Sequence, residues 1–200
     1  MPRPLFLLAV LAALVASGAL AGCAGRPDHL QPEDDLSDER WSLVDQDSAA
    51  FTFPDDLRGR PAYVTAVYTH CPDVCLTTMQ QTMRVREALG PDADDVQFVV
   101  LTFDPARDTP SVLRHYAEAW DLGPGWRLAT GDTLEVGRLM DRLGVRVGVA
   151  ERDTLASGTP YYTLNHNDHS LLLDAEGRVV ETYGGSVAPP DLVAADVRDL

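Results

Sequence analysis

The chain has 200 residues, 31 of them acidic against 16 basic, for a formal net charge of −15, and every basic residue is arginine. So negative a surface repels phosphate backbones and anionic headgroups, which excludes nucleic acid as an expected partner. The length suits one domain of ordinary size with a full core once a leader is set aside.

Residues 1–22 read as an export leader of the lipoprotein type. Arg3 is the positive end, an apolar stretch runs from Leu5 to Leu20, and small residues precede a cysteine. The order Leu20-Ala21-Gly22-Cys23 is similar to the bacterial lipoprotein box, in which the cysteine is acylated after cleavage, so Cys23 is the expected lipid-bearing residue. An uncleaved membrane anchor is the alternative, the stretch being near the minimum for a span. Either route puts the rest of the chain on the envelope side of the membrane, outside the cytoplasm, where disulfides persist. Residues 23–40, rich in Asp, Glu, Pro and Gly, read as a flexible acidic tether.

The folded part is expected over residues 41–200. Trp41-Ser42-Leu43-Val44 and Phe51-Thr52-Phe53 alternate around a polar turn and predict a β-hairpin. An apolar strand, Ala62 to Tyr68, follows Gly59 and Pro61. Cys75 to Leu89 then carries Leu76, Met79, Met83, Val85 and Leu89 at near-helical spacing, closed by Gly90-Pro91. Val96 to Phe103 reads as a buried strand broken by Asp104-Pro105, and Thr109-Pro110 opens a helix that runs to Trp120. A short strand at Arg127 to Ala129, an amphipathic helix from Thr133 to Leu143, an alternating strand from Val145 to Val149 and a loop rich in Thr, Ser and Gly come next. Ser170 to Leu173 and Val179 to Tyr183 flank the turn Asp174-Ala175-Glu176-Gly177, and a last helix starts near Pro190. Strands alternating with helices, followed by a closing hairpin, predict an α/β sandwich whose mixed sheet is covered by helices on both faces.

Tyr68-Thr69-His70-Cys71-Pro72-Asp73-Val74-Cys75 places two thiols four positions apart where the apolar strand gives way to a helix. At 3.6 residues per turn such positions share one face, so both sulfurs can grip one soft ion or close on each other. The helix N-terminus is expected to lower the pKa of a thiol held there. Far downstream, Asn165-His166-Asn167-Asp168-His169-Ser170 offers two imidazoles. Two thiolates and one imidazole form a soft, low-coordinate site that suits Cu(I), with Zn²⁺ as competitor where a fourth ligand is present. Spacing alone leaves a disulfide open and does not choose between His166 and His169. His70 is expected to point away from Cys71, and His115 and His29 read as bystanders.

Three stretches together resemble the Sco/SenC family of copper-binding, thioredoxin-like proteins: Tyr68 to Cys75, Phe103-Asp104-Pro105-Ala106-Arg107-Asp108-Thr109-Pro110, and Asp168-His169-Ser170. The middle stretch has no evident chemistry of its own. The resemblance covers about residues 41–200 and implies a thioredoxin-like fold, with Cys71 and Cys75 as thiolate ligands and redox pair and His169 as the imidazole ligand. Asp168 is read as a group that orients the ring or aids docking. Leu76 stands where the family often has proline.

The resemblance further implies a membrane-tethered copper chaperone that binds Cu(I), with Cu(II) open, and helps assemble the binuclear copper site of cytochrome c oxidase. Its partners would be the copper-accepting oxidase subunit and a thiol reductant or other copper carrier, with the membrane reached through a lipid anchor. The chief rival is a thiol-disulfide oxidoreductase, although the spacing is one residue longer than Cys-x-x-Cys. A peroxidase with Cys71 as attacking thiolate, and a plain structural bridge, are weaker readings. So local a bridge removes little chain entropy.

Overall fold

The computed structural model describes residues 26–154, 158 and 160–200. The expected leader and Cys23 lie outside the described residues. In chain order the strands are β1 (Asp34–Asp35), β2 (Trp41–Asp45), β3 (Ala50–Phe53), β4 (Ala62–Val67), β5 (Gln97–Thr102), β6 (Trp126–Gly131), β7 (Val147–Thr154), β8 (Pro160–His166), β9 (Ser170–Leu173) and β10 (Arg178–Tyr183). The helices are α1 (Val74–Leu89), α2 (Pro110–Ala119), α3 (Thr133–Arg142) and α4 (Pro190–Arg198).

Eight strands form one sheet in the order β1-β10-β9-β4-β5-β6-β2-β3. The β4–β5 and β5–β6 pairs are parallel and the other neighbours antiparallel. All of β4 and β9, and all of β5 after Gln97, are buried. Strands apolar on both sides need cover on both sides, which the helices supply. Helices α1 and α4 pack on each other, while α2 and α3 lie over β6 and β2. Tyr63, Phe98 and Trp126 run across the three parallel strands with ring centroids 6.3 and 5.0 Å apart. This is the mixed α/β sandwich that the alternation predicted, with the β2–β3 hairpin at one edge.

Two expectations are corrected. The stretch expected as a loop after Val149 is a second arm: β7 extends to Thr154 and pairs antiparallel with β8 in a separate two-stranded ribbon. Every residue of β7 is exposed, so the alternation that marks a half-buried strand fades there, and pairing alone makes it extended. The tether expected over residues 23–40 is laid onto the fold across its described part. Leu30 and Leu36 are fully buried, β1 adds to the edge of β10, and Arg142 pairs with both Asp34 and Glu39. Two leucines anchor an otherwise polar run, and an averaged composition hides them.

The β9–β10 turn shows how the acidic chain uses its arginines. Asp174 is buried and accepts from the backbone N–H groups of Glu176 and Arg178 at 3.1 and 3.0 Å, from Arg178 Nε at 2.8 Å and from Arg26 Nη1 at 2.9 Å. Gly177, at φ +85°, closes the turn in a conformation that side chains rarely adopt. Burial pushes the Asp174 carboxyl up, but the Arg178 and Arg26 bonds outweigh it and hold the pKa below the ordinary value. A carboxyl held low contributes stability that is complete above about pH 4 and is lost as pH falls through the folded value. Asp174→Asn is expected to destabilise by about 2 kcal/mol at neutral pH. In urea unfolding, the gap between the two proteins should narrow steadily as pH drops below about 4.

Candidate metal centre

Strand β4 ends at Val67, and the chain turns through Tyr68 to Asp73 before α1 begins. A turn bond from Cys71 N–H to the Tyr68 carbonyl, 3.2 Å, starts this loop. Its position is set from outside by Asp108, which is fully buried. That carboxyl accepts from the Thr69 N–H at 3.1 Å, the Thr69 hydroxyl at 2.6 Å and the Thr102 hydroxyl at 2.5 Å. Cys71 is 8% exposed and Cys75, in the first turn of α1, 1% exposed; both are free thiols.

The third side chain arrives on the ribbon. His166, the last residue of β8, brings Nε2 to 3.5 Å from Cys75 Sγ. One ligand atom from each of Cys71, Cys75 and His166 lies within 4.8 Å of the others. The ribbon is clamped by the segment that follows β5. Arg107 Nη1 donates to the Tyr162 carbonyl at 3.0 Å, and its guanidinium sits 3.6 Å from the Tyr162 ring centroid. Tyr162 Oη donates to Asp104 at 2.6 Å, Asp104 also accepts from Arg107 Nε at 2.5 Å, and Leu164 N–H donates to Tyr68 Oη at 3.2 Å. The His166 ring packs 4.6 Å from the Phe103 ring, which walls the site on that side.

His169 was the ligand expected from the resemblance, and the structure puts it elsewhere. Its Nε2 lies 3.0 Å from the Leu143 carbonyl, an acceptor, so Nε2 carries the proton. Its Nδ1 lies 3.2 Å from the Asn167 amide nitrogen. Asn167 is oriented unambiguously, because its Oδ1 accepts from Arg146 N–H at 2.6 Å and its nitrogen donates to the Gly144 carbonyl at 2.9 Å. Asp168 accepts from the Thr78 hydroxyl at 2.8 Å and from Ser186 N–H at 2.6 Å, tying the segment to α1 rather than orienting a ring. Gly185 permits this closeness, since a Cβ there would run into the Asp168 carboxylate.

His70 is half exposed and bonds Thr69 Oγ1 at 3.0 Å, apart from the cluster. The expected acidification of a thiol at the helix start fails for Cys75. Burial dominates and pushes its pKa well up, with the neighbouring Cys71 adding to the rise. A partial helix charge cannot offset the loss of water around a thiolate.

The SCO1/SenC family pattern matches residues 30–200. The chain belongs to the SCO1/SenC family. Among its relatives, the SCO2-like protein of Rickettsia felis is 28% identical over 153 residues, 76% of this chain and 72% of that one. Among solved structures, the copper-bound ScoI of Bradyrhizobium japonicum is 31% identical with a TM-score of 0.69, over 80% of this chain and 96% of that one. Copper-bound yeast Sco1 is similar in fold, at 24% identity and a TM-score of 0.67 over 80% of this chain and 87% of that one. The structure gives the middle motif a reason: Asp108 holds the segment that carries Cys71, and Asp104 and Arg107 hold the strand that carries His166. Sequence reasoning missed these roles because nothing in their spacing shows which distant strands they reach.

Asp108→Ala would leave three donors beside the site without their acceptor. It is expected to cost about 3 kcal/mol in chemical denaturation and to speed amide exchange at Thr69 more than at residues of β9.

Proposed function

We propose that this protein is an envelope copper carrier, tethered to the membrane through Cys23, that helps assemble the binuclear copper site of cytochrome c oxidase. The observation that carries the copper reading is the convergence of two buried thiols and an imidazole nitrogen on one point, in a family whose Bradyrhizobium relative was solved with copper bound. Two sulfurs and one nitrogen suit a three-coordinate Cu(I), and a thiolate from a receiving protein can add before an original ligand leaves. Copper here is cargo. Oxidation of Cys71 and Cys75 to a disulfide gives up two electrons and two protons to an acceptor and removes both thiolates, so redox state gates loading.

Cys75 is the more deeply buried thiol of the pair. A thiol 1% exposed whose pKa is driven up stays protonated until a soft cation displaces the proton, which couples copper entry to proton release.

Titration of the reduced full chain with Cu(I) against a chromophoric chelator is expected to give one equivalent per chain. Cys71→Ser or Cys75→Ser should weaken binding by more than about a hundredfold, and full loading of the double variant would overturn the reading. In a deletion strain, the wild-type chain should restore the copper-centre signal of the oxidase and Cys71→Ser should not. Cys23→Ser should shift the protein out of the membrane fraction.

A further inference from the structure

We propose that His29 and Asp196 form a pH-dependent latch that holds residues 26–33 as a strap against β10 and α4. His29 reads from sequence as a bystander, but its Nε2 lies 2.9 Å from Asp196 Oδ1, and Tyr183 Oη donates to the other carboxylate oxygen at 2.6 Å. Asp196 is 3% exposed, whereas the His29 ring is half open to solvent. A buried carboxylate is tolerated only with donors around it. Burial and the bond to Asp196 push the Tyr183 phenol pKa far up, so His29 is the donor whose charge changes near neutral pH.

The other contacts of the strap do not titrate in that range. Asp28–Leu30 form a single turn against β10, closed by the Leu30 N–H on the Pro27 carbonyl at 3.0 Å, and Leu30 is fully buried. Glu33 N–H donates to the Val179 carbonyl at 2.8 Å, and Arg26 pairs with Asp174 at 2.9 Å. Beyond Glu33 the clamp of Arg142 on Asp34 takes over. The charged groups that act on His29 from the elements packed against it are all acidic: Asp196 on α4, Glu181 on β10 and Asp199 just past α4. They raise its pKa above the ordinary value, chiefly through the Asp196 bond and against some loss of water. A histidine that holds its proton more tightly when docked gives the strap stability that is complete below about pH 6.5 and is lost as pH rises through the raised value. The neutral ring still donates from Nε2, so the bond weakens and does not vanish. Leu30 supplies the constant part of the docking and His29 the adjustable part.

Strap and lipid attachment are close along the chain. At about 3.4 Å a residue, the three residues from Cys23 to Arg26 span at most about 10 Å, and the eleven from Cys23 to Asp34 at most about 37 Å. Where Cys23 carries the lipid, opening the latch lets the metal centre range farther from the membrane. That consequence rests on the lipid reading; the latch itself does not.

Two measurements on the full chain in detergent micelles test the latch: NMR titration of the ring carbons, with His29 assigned by its absence in His29→Gln, and amide exchange corrected for intrinsic rates. His29 should titrate above about pH 6.5. Protection at Leu30 and Glu33 should fall about three- to tenfold between about pH 6 and about pH 8, with its midpoint at the His29 pKa, while protection at Val100 in β5 stays level. His29→Gln, which donates to Asp196 without charge, should show one low level of strap protection at both pH values. A His29 pKa at or below the ordinary value, or a pH-dependent loss of protection that persists in His29→Gln, overturns the proposal. Membrane fractionation of Cys23→Ser decides the lipid attachment separately: a variant that stays in the membrane removes the effect on reach and leaves the latch standing.

Discussion

The buried carboxyl of Asp108 is the point on which the site depends. It lies outside the strands and accepts from a hydroxyl at the end of β5 and from both polar groups of Thr69, two residues before Cys71. A buried carboxyl is tolerated only when such donors surround it. Once they do, the loop between β4 and α1 has one position relative to the sheet. The sulfurs are therefore fixed by a side chain with no chemistry toward metal, at the edge of the sheet where parallel strands end and sites gather.

The same segment reaches the other way. Arg107 uses its planar fork on the Asp104 carboxylate and the Tyr162 carbonyl while stacking on the Tyr162 ring, a combination that lysine could not make. Tyr162 Oη returns a bond to Asp104, and burial together with that carboxylate pushes the phenol pKa up to about 12, so it remains a donor. A ribbon whose first strand is wholly exposed has little apolar burial to hold it. Its attachment is polar and aromatic, concentrated beside the histidine it delivers.

Burial dominates the electrostatics of Cys75. Cys75 gives up water for the company of apolar groups, which costs its thiolate more than the helix start returns. Such a thiol is a poor nucleophile and remains a good ligand, because a metal supplies the positive charge that solvent no longer does. That balance suits a site that holds a metal ion.

Much of this was legible in the chain. Apolar runs gave β4, β5 and β9, the near-helical spacing gave α1, and the Cys71–Cys75 spacing placed both sulfurs at one strand end. These follow from local periodicity, which a sequence carries in full. Which imidazole faces the sulfurs was decided only by tertiary structure. His166 and His169 are three positions apart in one polar segment, and what separates them is the pairing of an exposed strand, an arginine that clamps its partner and an asparagine that occupies the other ring. The anchoring of residues 26–40 by Leu30 and Leu36 is of the same kind. Hydrogen bonds and burial between residues far apart along the chain depend on where the sheet brings them, and no local pattern records that.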